Sequence, residues 1–73
     1  MKIYGYSKDN EDTLQEMNEI SLQGSYGELI EVANFIIKYA KVMKESGDAF
    51  EHAHLKDEYK NWKEAHPDII ICK

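Results

Sequence analysis

The chain has 73 residues, 14 of them acidic and 9 basic, for a formal charge of −5. All nine basic residues are lysines, and an acidic, arginine-free balance argues against nucleic acid, whose phosphates are bound chiefly by clustered Lys and Arg. This length accommodates one domain, residues 1–73, with one small core, and the single cysteine, Cys72, excludes an internal disulfide.

Hydropathy narrows the class further. No apolar run reaches the ~18 residues of a membrane span. Met1-Lys2-Ile3-Tyr4-Gly5-Tyr6 lacks the apolar stretch of a signal peptide, so a reduced, cytoplasmic setting is expected, with no membrane partner. A chain of about 60 residues buries only about 60 % of its unfolded surface. Stability at this size calls for good packing, a metal or another chain.

In chain order, Ile3, Tyr4 and Tyr6 predict a first strand over residues 2–6, followed by turn formers at Lys8-Asp9-Asn10. Ile20 and Leu22 alternate with polar neighbours and predict a second strand over about residues 15–22. Ser25 then stands as an N-cap with Glu28 in the capping-box position. The helix so begun runs to about Glu45 and stops at Gly47, with Lys38, Lys41 and Lys44 toward its negative end. Ala49 to Leu55 predicts a third strand. A polar connection follows from Asp57 to Glu64, with a turn of helix around Tyr59 and Trp62. His66-Pro67 breaks the chain, and Asp68 to Cys72 predicts a last, apolar strand. The order β-β-α-β-β predicts an α+β fold: a small antiparallel sheet with one long helix packed on one face.

At 100° per residue, Leu29, Val32, Ala33, Ala40 and Met43 fall within roughly 60° of Ile36, the expected core stripe. Tyr39 lies at its edge. Ile30, Phe35, Ile37 and Val42 widen the apolar arc to roughly 240°, leaving Glu31, Asn34, Lys38, Lys41 and Glu45 as the polar wedge. Two arrangements accommodate so wide an arc. Either loops, above all the one carrying Trp62, fold over the flanks, or one flank meets a partner or a second copy of the chain.

Strand alternation sorts the remaining side chains. Ala53 and Leu55 are expected on the side packed on the helix, and the set that follows takes Ile3 on that side too. Tyr4, Tyr6, Phe50, His52 and His54 then collect on the open face of the sheet and form the candidate partner-binding set, since aromatic residues are enriched at interface centres. The last strand is apolar on both sides, with Ile69 and Ile71 on one and Ile70 and Cys72 on the other. Acidic residues gather early (Asp9, Glu11, Asp12, Glu16, Glu19) and late (Asp57, Glu58, Glu64), either as a solvated surface or as steering toward a basic partner.

The chemistry-bearing residues are few. His52-Ala53-His54 points two imidazoles to one side of a strand, a spacing that zinc or nickel can use, with His66 and Cys72 as weak further candidates. Surface or structural histidines are the plainer reading. Cys72 in an apolar strand favours an inert thiol, and Ser25 is engaged as a cap, so no catalytic residue and no cofactor are expected.

A strand leading to Gly24-Ser25, a helix entered through Gly27-Glu28-Leu29, the element His52-Ala53-His54-Leu55, and the terminal Asp68-Ile69-Ile70-Ile71 together resemble the small bacterial immunity proteins of polymorphic toxin systems, the immunity protein 32 type. The resemblance spans roughly residues 16–72. The Asp57–His66 connection with Trp62 is longer than the glycine-containing link of that group. The resemblance implies a non-enzymatic protein that binds a cognate toxin and blocks its active site or substrate access, with His52 and His54 at the positions matching the motif. The charge of −5 is compatible with a basic toxin domain. The alternatives from other classes are a homodimeric metal- or small-ligand-binding module using the His-x-His strand, and a regulator that dimerises through its sheet.

Overall fold

The computed structural model describes residues 1–62 and 66–73, and the tail of the polar connection, including Glu64, lies outside them. The elements are β1 (Ile3–Ser7), β2 (Asn10–Met17), α1 (Tyr26–Ser46), a 3-10 turn (Gly47–Ala49), β3 (His52–His54), a one-turn α2 (Leu55–Glu58) and β4 (Ile70–Cys72). The α+β class and the β-β-α-β-β order stand. The four strands, however, divide into two antiparallel pairs, β1 with β2 and β3 with β4, where one sheet was expected.

The hairpin explains the shift of β2 from residues 15–22 to 10–17. The chain reverses at Lys8-Asp9, and the Ser7 hydroxyl accepts the Asn10 N–H at 3.0 Å. Pairing therefore begins at Asn10 and ends where β1 begins, with Ile3 opposite Met17. Residues beyond Met17 have no strand to pair with, so Ile20 and Leu22 lie in an irregular, exposed segment despite their alternation. The hairpin is little covered by the rest of the molecule: all of β2 is exposed, and in β1 only Ile3 and Gly5 are half-covered. It therefore does not lie under the helix.

The helix forms as its caps dictate. The Ser25 hydroxyl accepts the Glu28 N–H at 3.1 Å, and the Glu28 carboxylate accepts the Ser25 N–H at 2.8 Å. This reciprocal box satisfies donors that the first turn otherwise leaves unpaired. At the other end Gly47 takes φ +57°, a conformation costly for residues with a Cβ, and its N–H bonds the Met43 carbonyl. No helix among the described residues is long and apolar enough to cross a membrane.

The core lies between α1 and the chain after it. Val32, Phe35 and Leu55 are buried, with Tyr39, Ala53, Tyr59, Trp62, Ile69 and Ile71 packed around them. Ala53 pairs with Ile71 in the β3–β4 ladder, and the Leu55 N–H donates to the Ile69 carbonyl at 2.9 Å. Thus β3 and β4 turn Ala53, Ile69 and Ile71 inward and Ile70 and Cys72 outward, as alternation predicts. β3 is shorter than expected because β4 offers three partners. Ala49 closes the 3-10 turn, and Leu55 already begins α2.

The helix buries a different stripe from the expected one. Its inward face is centred on Phe35, Val32 and Tyr39, about 60–80° away from Ile36. Leu29, Ala33, Ile36 and Ala40 are exposed, and Met43 is half-buried. The aromatic pair Phe35–Tyr39, with centroids 5.1 Å apart, offers the larger area, and polar groups beside it fasten the return chain. Glu58 bonds both Lys38 and, at 2.6 Å, the Tyr39 hydroxyl, while Glu28 lies 2.9 Å from His66 and Glu31 accepts from Asn61 at 3.5 Å. Of the two arrangements open to the wide arc, the Trp62 loop packs over the Phe35 side. The Ile30–Ile37 flank is left uncovered.

Candidate functional site

The outer face of the β3–β4 ladder carries His52, His54, Ile70 and Cys72. His52 is the cross-strand partner of Cys72, and His54 of Ile70. The two imidazoles meet edge to face with centroids 5.1 Å apart, so the His-x-His spacing does bring both rings to one side. Their environments differ. His52 is exposed, whereas His54 Nδ1 lies 2.7 Å from Asp68 Oδ2.

Asp68 organises this end of the molecule. Its other oxygen accepts the N–H groups of Lys56 at 3.1 Å and Ile69 at 3.0 Å. Partial burial pushes its carboxyl up, but the bonds from His54 and the two backbone donors outweigh that push and hold it below its ordinary value. His54 is therefore a tie between the start of α2 and the start of β4 as much as a surface group.

The other predicted residues divide. Tyr4 and Tyr6 are exposed on β1, Tyr4 opposite Glu16. Tyr4 also lines, with Met1, Lys2, Cys72 and Lys73, an open hollow of about 370 Å³. Since Cys72 pairs with His52, Tyr4, Cys72, His52 and His54 follow one another across the junction of the two sheets. Phe50 departs from this set: at 8 % exposure it is buried and serves packing. Its place just before β3, after a tight 3-10 turn, removes it from the alternation that predicted an outward ring.

His66 is not near the other two histidines. It sits at the N-terminal end of α1, with Nε2 against Glu28 and its ring 4.9 Å from that of Trp62, whose indole N–H donates to the Pro67 carbonyl at 2.8 Å. Glu28, Leu29, Trp62 and His66 help to line a second cleft of about 280 Å³. Of the proposed ligand set, His52, His54 and Cys72 thus share the β3–β4 ladder, while His66 is turned to Glu28 on α1. Among the described residues no group of three or more His, Cys, Asp or Glu side chains converges on a common point.

Sequence reasoning missed two features of the surface. The first is Asp68, which it read as the leading residue of a strand; its three acceptor contacts come from residues up to fourteen positions away and leave no local signal. The second is the hairpin as an element set apart from the helix, which exposes Leu14 on the side of Tyr4 and Tyr6 and Met17 on the other, opposite Ile3, with Glu11, Asp12 and Glu16 in the same strand. Arranged this way, the surface offers aromatic and aliphatic anchors inside an acidic frame, a composition suited to docking. Comparison of the chain with protein-family models, curated proteins and solved structures finds no match.

Proposed function

We propose that the chain is a small, non-enzymatic, protein-binding domain of the bacterial cytoplasm, an immunity-type inhibitor that binds a cognate toxin and holds it inactive. The observation that carries this reading is the hairpin. It projects Tyr4, Tyr6 and Leu14 into solvent, each about half exposed or more, and surrounds them with carboxylates. An isolated two-stranded hairpin is marginal in water, so one that keeps its large side chains outward is best accounted for by a partner that covers them. The acidic frame favours a basic partner, because complementary charge accelerates encounter and rejects wrong surfaces. The toxin-directed part of the proposal rests on the resemblance of residues 16–72 to immunity proteins.

The test pairs this chain with the product of the gene beside its own. Co-expression should relieve growth inhibition by that product, and the two should co-elute as a stoichiometric complex. Joint Tyr4→Ala, Tyr6→Ala and His52→Ala substitution should weaken the complex at least tenfold by titration calorimetry. Continued growth inhibition in the presence of the chain, or an affinity indifferent to the three substitutions, overturns the assignment.

A further inference from the structure

The uncovered flank of α1 is patterned for a specific occupant. Tyr26, Leu29, Ala33, Ile36, Ala40 and Met43 are spaced 3, 4, 3, 4 and 3 apart, the a/d seam of a helix that packs against another helix. Ile30 and Ile37 extend the same side. Tyr26 is 84 % exposed, Ile30 55 % and Ile37 53 %, while Leu29 and Ile36 are near 40 %. In a self-contained domain these side chains would face the core. Here the core occupies the neighbouring stripe, and the seam, apart from the half-buried Met43 at its end, faces solvent.

The size of the exposed surface points the same way. A folded monomer of 8.5 kDa is expected to expose about 4,650 Å², whereas this chain exposes 6353 Å². The radius of gyration, 13.1 Å, likewise exceeds the ~11 Å of a compact domain of this length. A standard interface takes about 800 Å² from each partner, so the excess of about 1,700 Å² covers one such interface and leaves the hairpin for another.

We propose that two copies of this chain pair through α1 as an antiparallel helix dimer. The residue sizes along the seam favour a second copy in that orientation. Running the two helices in opposite directions about a two-fold axis near residues 34 and 35 sets Leu29 against the partner copy's Ala40, Ala33 against Ile36, and Tyr26 against Met43. Every layer then joins a large side chain to a smaller or more pliable one, the condition for interdigitated packing without voids. A parallel pairing sets alanine on alanine and isoleucine on isoleucine. The charges agree. Lys44 is the one charged residue at the seam's edge; the antiparallel arrangement carries it to the opposite end from its counterpart and opposes the two helix dipoles. Because the seam itself is uncharged, the −5 of each copy stays on the hairpins and outer surfaces. The interface goes beyond toxin binding and uses a different face.

Sedimentation across a concentration series tests it, with the chain expected at twice its 8.5 kDa mass. Ile36→Glu should leave a monomer with the helical signal intact. The orientation is read by spin labels on Lys44→Cys in a Cys72→Ser background. At 1.5 Å of rise per residue the antiparallel register places the two labels about 30 Å apart, and a parallel one about 10 Å. If Ile36→Glu fails to fold, a label separation near 30 Å in the otherwise unchanged dimer still supports the proposal. A wild-type chain that stays monomeric, a dimer that survives Ile36→Glu, or labels near 10 Å overturns it. Tyr4→Ala with Tyr6→Ala should leave the dimer unchanged, so failure of toxin binding and failure of this interface are separate results.

Discussion

The carboxylate of Glu28 holds His66, 38 residues further along the chain, at 2.9 Å from its Nε2, while its second oxygen caps the Ser25 N–H at 2.8 Å. One side chain thus fixes both the start of α1 and the return of the chain toward β4. The Ser25 backbone bond, followed by those from His66 and the Ser25 hydroxyl, holds the Glu28 carboxyl below its ordinary 4.5.

Glu28→Gln separates these two duties. Glutamine still reaches back to the Ser25 N–H, as glutamine does in capping boxes, but no longer offers His66 a charge. The expected outcome is a lower urea midpoint with helix content retained, whereas Ser25→Ala loses the cap itself, at about 1 kcal/mol. Fluorescence of Trp62, the single tryptophan, whose ring lies tilted against that of His66, reports both transitions. Equal midpoints for Glu28→Gln and wild type would remove His66 from the account.

Acid should loosen the fold through three carboxylates at once. Glu28 and Glu58 lie below 4.5 and Asp68 below 3.8; for Glu58 the Lys38 bond is the leading cause and the Tyr39 hydroxyl the next. A carboxyl depressed in the folded state releases its proton more readily there than in the unfolded chain. Its contribution is therefore complete above the unfolded value and disappears as pH falls through the folded one. Thermal unfolding followed by circular dichroism should show a level melting temperature from pH 7 to about 5 and a decline below about 4.5. A midpoint that rises on acidification contradicts the assigned contacts.

His52 and His54 should part company under substitution. His52 is exposed and meets the rest of the structure through a ring edge, so His52→Ala is expected to leave stability within about 0.5 kcal/mol. His54→Ala removes a bond to Asp68, on which the Lys56 and Ile69 N–H groups also depend, and should lower the midpoint measurably. A binding defect in His52→Ala is then a report on the surface, while one in His54→Ala needs the stability change subtracted first. Identical stabilities for the two variants would mean that Asp68 is held by its backbone donors alone.

How much of this was readable from residues depends on the range of the forces involved. The limits of α1 were readable because Ser25, Glu28 and Gly47 act within one turn of themselves. That Ala53 and Leu55 turn inward, and that Ile69 and Ile71 share one face, was readable because strand alternation is a property of the backbone; which face of the last strand is the inner one was not. The division into two sheets was not, since it depends on which partner each strand meets, and a hairpin looks the same in sequence whether or not a helix lies over it. Nor was the rotation of the helix: Phe35 and Ile36 are both strongly apolar, and the preference for the Phe35–Tyr39 side is fixed with the help of Glu58, Asn61 and His66, which reach it from 19 to 38 residues away. Among the predicted surface residues, Phe50 was misplaced for the related reason that the 3-10 turn before it breaks the alternation.

That rotation yields the most direct test, because Phe35 and Ile36 are neighbours with opposite environments. Phe35 is fully buried and Ile36 is 40 % exposed. Phe35→Ala should cost about 3–5 kcal/mol, enough to unfold most of a domain with so few buried side chains, and the loss should not depend on protein concentration. Ile36→Ala should cost under about 1 kcal/mol in dilute solution, where the seam is open to water. Its cost should grow as the wild-type chain is concentrated, because mass action stabilises only the chain that can pair. Urea titrations of both variants at two concentrations a hundredfold apart separate the outcomes. Equal, concentration-independent losses would put Ile36 in the core of a monomer and return the helix to the orientation that its hydropathy alone predicts.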